Sequence, residues 1–158
     1  RIVNLPEIRE RLLAQGLEPA GTTSAEFAEY LKSEMEMAAK ATYEMSGLTP
    51  DDIDAAVIYD AFSPIVLWQL EAWNFCGFGE SGDFVINGGL RKDGRLPCNT
   101  HGGQLSEAYI HGVNGIVEAT RLVRGTSVNQ PDKAVNHALV TSGVGIPTGG
   151  ALLGKLDL

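Results

Sequence analysis

The stretch AAVIYDAFSPI, residues 55–65, decides the fold class of this sequence. Its first five residues, Ala55 to Tyr59, carry no charge, which is typical of a short strand buried on both faces of a sheet. Ser63 and Pro64 then predict a helix start, because serine is a favoured N-cap and proline a favoured first helical residue. A buried strand that leads directly into a helix indicates an α/β layer structure.

Further helices and strands are predicted on both sides of this unit. A capping box at Thr23-Ser24-Ala25-Glu26 predicts a long helix that ends at Gly47. Apolar spacing and glycine stops predict other helices over 5–15, 65–75 and 104–124. Strands are expected over 83–87, 137–142 and 149–156, with a tight loop over 143–148 between the last two.

The predicted helix over 104–124 has one apolar and one polar face. Its apolar face, expected to point inward, is formed by Leu105, Tyr109, Gly112, Val113, Ile116 and Thr120. Its polar face is formed by Gln104, Glu107, His111 and Glu118. His111 is therefore predicted to be a surface histidine.

Composition narrows the class of protein. The 158 residues suffice for one domain with a hydrophobic core, and 44% of them are hydrophobic. The net charge of −8 argues against a nucleic-acid partner, because phosphate binding needs clustered lysine and arginine.

No apolar run is long enough to span a membrane and no signal peptide is visible, so a cytoplasmic protein is expected. Cys76 and Cys98 have no metal-ligand spacing, and no metal site is predicted.

Two positions are candidates for chemistry on the residues alone. Tyr59 and Asp60 follow the buried strand, where ligands gather in α/β sheets, although Asp60 also suits a simple strand-to-helix connection. Gly102 and Gly103 precede the predicted helix at 104, where backbone N–H groups are available to a phosphate or an oxyanion.

The glycine pair has a plain alternative, since such pairs often serve only close packing. Tyr109 lies in the first turns of the predicted helix, where a core tyrosine and a site tyrosine are both compatible with the pattern. His101 lies in the loop before the helix and is a candidate substrate-binding residue together with Asp60, Gly102 and Gly103. Both cysteines are expected to be inert thiols.

Four separated motifs, taken in order, resemble the C-terminal domain of the thiolase superfamily. They are GLTPDDID (47–54), IYDAF (58–62), LPCNTHGGQLSEAY (96–109) and TSGVG (141–145). The sequence is most similar to the thiolase-like lipid-transfer proteins of the sterol-carrier type. The resemblance implies a layered fold with a mixed sheet flanked by helices over residues 37–158, an N-terminal helical extension over 1–36, and a dimer.

The departures from the thiolase pattern concern the catalytic side chains. Thiolases carry Asn or His at the position of Tyr59, His at the position of Tyr109, and a second cysteine near Thr141. The acylated cysteine of thiolases belongs to an N-terminal half that lies outside these residues. Without those groups the thiolase reaction is not expected.

The tyrosine pattern resembles the aldolase subunits of steroid side-chain degradation, which cleave a β-hydroxyacyl thioester of coenzyme A by a retro-aldol reaction. That resemblance implies Tyr59 and Tyr109 as acid and base. It also implies a coenzyme A thioester as substrate, with no tightly bound cofactor. The implied assembly is a homodimer or a hetero-oligomer with an OB-fold partner.

Two other interpretations remain open. The domain is alternatively a non-catalytic lipid-transfer or structural domain. In addition, residues 5–34 resemble the C-terminal helices of periplasmic tricarboxylate-type solute-binding proteins, which implies that 1–36 and 37–158 have different origins. A solute-binding remnant would bind carboxylates.

Overall fold

The computed structural model describes residues 2–110, 112–143 and 149–155, which form two compact units, 1–30 and 31–158. The first unit begins with a 3-10 turn, Ile2–Asn4, and helix α1, Pro6–Ala14. The Arg9 guanidinium donates a hydrogen bond of 2.9 Å to the Pro19 carbonyl, which secures the connector after α1.

Helix α2 spans Ser24–Ser46 and begins at the predicted capping box. The Thr23 N–H donates to a carboxylate oxygen of Glu26 at 2.7 Å, and the Glu26 N–H donates to the Thr23 hydroxyl at 3.2 Å. The helix ends before Gly47, whose φ of +70° is a conformation that favours glycine. The expected domain boundary between residues 36 and 37 falls inside α2, and the assignment of 1–36 as a separate extension stays a prediction.

A three-stranded mixed sheet forms the centre of the second unit, as the fold class predicts. The elements after α2 are β1 (Ala55–Val57), α3 (Ser63–Ala72), α4 (Ser81–Ile86), α5 (Val113–Arg124), β2 (His137–Ser142) and β3 (Gly149–Gly154). Strand β1 pairs in parallel with β2, and β2 pairs antiparallel with β3. The α/β prediction is confirmed.

Alternate residues of the strands face two separate hydrophobic clusters. Ala56 and Leu139 face a cluster that contains Ala39 of α2, Leu70 of α3 and Trp73. On the opposite face, a second cluster combines residues of β1 and β2 with residues of α5: Ala55, Val57, Ala138, Val140, Ala119 and Leu122. Helices therefore cover both faces of the sheet, which makes a layered α/β/α arrangement.

The predicted helix over 104–124 is wrong in its first half. Helix α5 begins only at Val113, after Gly112 in the left-handed conformation with φ +85°, and residues 104–110 form turns and irregular backbone. The left-handed conformation of Gly112 interrupts the predicted helix, and the Gln104 N–H donates to the Asp60 carboxylate at 3.0 Å. His111 lies outside the described residues, so its predicted surface position stays a prediction.

The predicted inward face of this segment is also wrong. The side chain of Leu105 is 96% exposed and Ile116 is exposed, whereas Glu118 is 2% exposed. Gly115 lies on the inner face, where a Cβ would be 3.2 Å from a methyl group of Val57, a tighter contact than usual.

Two further local predictions are wrong. The predicted strand over 83–87 overlaps helix α4, whose start is held by Glu71 of α3: the Ser81 hydroxyl donates to its carboxylate at 2.6 Å. Ser63 is the first residue of α3, and Phe62 is the N-cap.

Residues 144–148 of the predicted loop, and the predicted end of the last strand at 156, lie outside the described residues.

Across the described residues, every helix is too short or too polar to cross a lipid bilayer.

Substitution of Gly150 tests the packing of β3 against the core. A Cβ on Gly150 would overlap the buried ring of Trp73. We expect Gly150→Ala to lower the free energy of unfolding by about 1–3 kcal/mol, the usual effect of overpacking. Urea denaturation measures the change. Gly149→Ala is the matched control, because among the described residues its Cβ would meet the Ser142 hydroxyl alone, at 3.4 Å; equal loss in both variants would contradict the packing argument.

Candidate functional site

Two phenol groups meet at the end of strand β1. The hydroxyl oxygens of Tyr59 and Tyr109 lie 2.6 Å apart, with ring centroids 6.4 Å apart and ring planes tilted by 53°. Tyr59 is half-buried just beyond the strand, and Tyr109 lies in the irregular segment before α5 with 50% of its surface exposed. The structure thus brings together the two tyrosines that the sequence singled out, although Tyr109 does not point into the core as predicted.

The environment of Tyr59 raises the pKa of its hydroxyl above the ordinary value of about 10. The hydrogen bond with Tyr109 is the largest cause, and partial burial and the negative charge of Asp60 act in the same direction. At neutral pH Tyr59 is therefore a neutral phenol, which can donate a proton or a hydrogen bond.

The backbone of Tyr59 is held by two buried side chains. The Tyr59 N–H donates to the Thr141 hydroxyl at 3.0 Å, and the Gln69 amide donates to the Tyr59 carbonyl at 2.8 Å. The Thr141 hydroxyl in turn donates to the Gln69 side-chain oxygen. Sequence reasoning missed Gln69, which a helical pattern shows only as one polar residue in an apolar helix.

Asn99 holds the backbone of the residue before Tyr59 by hydrogen bonds in the same way. Its side-chain oxygen accepts from the Ile58 N–H at 2.8 Å, and its amide donates to the Ile58 carbonyl at 2.9 Å. Asn99 adopts a positive φ of +49°, which asparagine tolerates better than most residues. Side chains therefore satisfy the backbone groups of two successive residues beyond β1.

Asp60 and the glycine pair form one contact. The Asp60 carboxylate accepts the Gln104 N–H and packs so closely on Gly103 that a Cβ there would overlap it. Gly102 and Gly103 have φ of +98° and +75°, conformations that favour glycine. The predicted helix N-terminus behind this pair is absent, since α5 begins at Val113; the pair shapes a turn and offers no helix dipole to a ligand.

His101 lies beneath this turn and faces a charged network. Its side chain is 4% exposed, and its Nε2 atom lies 3.9 Å from a Glu107 carboxylate oxygen. Within the described part of the chain, neither ring nitrogen has a hydrogen-bond partner. Arg121 lies 3.9 Å from the carboxylates of both Glu107 and Glu118, so the network continues into α5.

Glu118 is the buried centre of that network. One of its oxygens accepts hydrogen bonds from the Thr100 hydroxyl at 2.5 Å and the Ser127 hydroxyl at 2.6 Å. These bonds connect α5 to the loop that leads to the glycine pair, and they explain why an acidic residue occupies the inner face of the helix.

Neither cysteine is an activated nucleophile. Burial raises the pKa of the Cys98 thiol to about 12 and also raises that of Cys76, so both are neutral thiols at neutral pH. Among the residues that the structure describes, no group of three or more His, Cys, Asp and Glu side chains is placed to hold a metal ion.

Comparison with known proteins shows which family shares these features. The family model described as thiolase C-terminal domain-like matches residues 20–152. The steroid side-chain-cleaving aldolase of Thermomonospora curvata is 60% identical over 121 residues, which cover 77% of this chain and 31% of that protein. The 17-hydroxy-3-oxo-4-pregnene-20-carboxyl-CoA lyase of Mycobacterium tuberculosis is 55% identical over the same shares, 77% and 31%. Bovine sterol carrier protein 2 is 32% identical over 73% of this chain and 21% of its own length.

A solved structure gives the same result. The Ltp2-ChsH2(DUF35) aldolase superposes with a TM-score of 0.74 at 60% sequence identity, over 77% of this chain and 31% of that one. The chain spans about a third of the length of the two aldolase and lyase relatives that it matches.

The hydrogen bond between the two tyrosines is testable by titration. We expect Tyr109→Phe to lower the pKa of Tyr59 towards about 10, because that bond is the largest cause of the raised value. Spectrophotometric titration of tyrosinate absorbance measures the shift. Tyr30→Phe, in the first unit, is the control and should leave the Tyr59 transition in place; an unmoved transition in Tyr109→Phe would show that the phenols do not interact.

The buried network around Glu118 is testable by denaturation. Glu118→Leu leaves the Thr100 and Ser127 hydroxyls without their charged acceptor, and we expect a loss of about 2–3 kcal/mol in the free energy of unfolding. Glu44→Leu removes a carboxylate that is exposed on α2 and pairs with Lys40 across the helix surface, so its effect should stay within about 0.5 kcal/mol. Similar losses in the two variants would mean that the network contributes nothing specific.

Proposed function

The chain belongs to the thiolase C-terminal domain-like family, and on that premise we propose that it forms part of a retro-aldolase. The proposed substrate is a β-hydroxyacyl thioester of coenzyme A on a steroid side chain. Two relatives above 50% identity, named as a steroid side-chain-cleaving aldolase and a CoA lyase, support the reaction class. The observation that carries the proposal is the contact between the Tyr59 and Tyr109 hydroxyls.

A retro-aldol cleavage needs two proton-handling groups close together. A base takes the proton from the β-hydroxyl, whose oxygen becomes a carbonyl as the bond between the α and β carbons breaks. The bonding electron pair moves to the α carbon and onto the thioester oxygen, where a donor stabilises it. Protonation of the α carbon then yields a shortened acyl-CoA and a ketone. No step needs a thiolate, which agrees with the neutral Cys76 and Cys98.

The surroundings of the two tyrosines suit different roles. Tyr59 keeps its proton because its pKa is raised, so we assign it as the acid that donates to the thioester oxygen or the α carbon. Tyr109 is then the base at the β-hydroxyl.

The residues behind the tyrosines support the substrate-binding assignments. Gly102 is exposed and lacks a side chain, so we propose that its backbone contacts the thioester. Asp60 and Gly103 contribute to binding by holding this turn in shape. His101 faces Glu107, and we propose that it acts on substrate binding from beneath the same turn.

The assembly is also a proposal. The solved relative is named as a combination of Ltp2 and ChsH2(DUF35), which supports a hetero-oligomer in which this family member works with a second subunit. An OB-fold in that subunit follows from the resemblance of the sequence to steroid side-chain aldolases, and a homodimer of the thiolase-like subunit is compatible with it.

A non-catalytic lipid-transfer function is the second candidate, favoured by the match to sterol carrier protein 2. It predicts that the complete protein binds acyl-CoA and that no partner subunit leads to cleavage. The tyrosine contact gives the first candidate the stronger support, because lipid transfer requires no pair of phenols.

Turnover by the complete protein with its partner subunit tests the assignment. We expect Tyr59→Phe and Tyr109→Phe each to lower kcat for β-hydroxyacyl-CoA cleavage by about 10²- to 10⁴-fold, the usual effect of losing a general acid or base. Product formation followed by chromatography measures the change, and Tyr30→Phe is the matched control. Full activity in both tyrosine variants would contradict the catalytic role of the phenols. If the wild type binds acyl-CoA but does not cleave it, the result would favour lipid transfer.

A further inference from the structure

Strand β1 ends at Val57, two residues before the tyrosine that the proposed function depends on. Beyond that point the backbone no longer has a complete sheet ladder, and a peptide group there would ordinarily be free to rotate. In this chain the N–H and the carbonyl of Tyr59 are instead bound to Thr141 and Gln69, from β2 and α3.

We propose that Gln69 and Thr141 are positioning residues, which set the place of the Tyr59 hydroxyl relative to Tyr109. This inference rests on the proposed function, since it assigns a task to residues that support the proposed acid. Both side chains are buried, Gln69 with 1% and Thr141 with 4% exposure, so they act through Tyr59 rather than on a substrate.

The three residues form a closed ring of hydrogen bonds. Thr141 accepts from the Tyr59 N–H and donates to the Gln69 oxygen, and the Gln69 amide group donates to the Tyr59 carbonyl. The Gln69 amide has two possible orientations, and in only one of them does each donor of the ring face an acceptor. A flip of that amide would place the Gln69 oxygen against the Tyr59 carbonyl, two acceptors with no donor between them, which is costly in a buried site.

The neighbouring residue is held in the same way, which strengthens the constraint. The Asn99 side chain binds both the N–H and the carbonyl of Ile58. The backbone of Ile58 and Tyr59 therefore cannot rotate without breaking bonds on both residues. The hydroxyl of Tyr59 lies at the far end of a long side chain, so a small backbone rotation produces a larger displacement at the oxygen.

Such a displacement matters because proton transfer depends on distance. The two phenol oxygens lie 2.6 Å apart, within the range of a strong O–H···O hydrogen bond. Misplacement of a reacting group by about 1 Å can cost about 100-fold in rate. Loss of the ring is therefore expected to lower kcat while leaving the substrate-binding surface intact.

Kinetics of the complete protein with its partner test the inference. Thr141→Val keeps the shape of the side chain and removes its hydroxyl, and Gln69→Met keeps its length and removes its amide. We expect each to lower kcat by about 10- to 100-fold with KM changed less than about 2-fold. Thr141→Ser restores the hydroxyl and should restore kcat.

Thr42→Val is the matched control. The Thr42 hydroxyl donates only to the Ala38 carbonyl of its own helix, α2, and lies outside the proposed site. Its kcat should equal that of the wild type. A kcat loss of the same size in Thr42→Val and Thr141→Val, or wild-type kcat in both ring variants, would overturn the positioning role.

A readout without turnover separates this inference from the proposed function. Hydrogen exchange at the Tyr59 N–H should be about 10-fold faster in Thr141→Val and near the wild-type rate in Thr141→Ser, since one buried hydrogen bond is lost and regained. In Gln69→Met the Tyr59 pKa should move towards about 10 as the contact with Tyr109 loosens.

These two measurements are decisive even where the wild type shows no cleavage. Absence of turnover would then contradict the proposed function. Altered hydrogen exchange and an altered Tyr59 titration would still support the role of the ring in setting the position of Tyr59. Wild-type exchange in Thr141→Val, or an unchanged Tyr59 transition in a folded Gln69→Met protein, would overturn the inference whatever the activity.

Discussion

The parallel pairing of β1 with β2 is the interaction on which the rest of the structure depends. Its register joins Ala56 to Leu139 and Val57 to Val140, and both strands are buried between helices on their two faces. The next residues along that register are those of the site, so the pairing itself brings the hydroxyl of Thr141 to the backbone of Tyr59. A slip of one residue would turn Tyr59 to the other face of the sheet and separate it from Tyr109.

At the end of this pairing, two hydrogen-bonded phenols are the polar groups that come together, and the thiols of Cys76 and Cys98 are neutral. A phenol with a raised pKa is a donor at neutral pH and a poor nucleophile. One fold can host different chemistries when a few side chains of its site are replaced.

The segment between Asn99 and Val113 shows why the site is held together by contacts from several directions. Its residues 100–110 carry Tyr109 without belonging to a helix or a strand, and side chains from other elements hold them in place. Asp60 anchors it at Gln104, and the network around Glu118 holds its beginning to α5. The polar residues that a periodicity argument assigns to solvent are therefore the ones that organise this part of the protein.

The sequence by itself determined the local features: the capping box at Thr23, the buried strand at Ala55, and the two tyrosines that depart from the thiolase pattern. The capping box and the buried strand are each defined by a few consecutive residues, and the two tyrosines stand out by comparison with the thiolase motifs. Only the tertiary structure decided where α5 begins, which of its faces is buried, and that Gln69 and Thr141 hold Tyr59. The backbone of Tyr59 is bound to residues that lie 10 and 82 positions away, and local propensity contains no information about such distant hydrogen-bond partners.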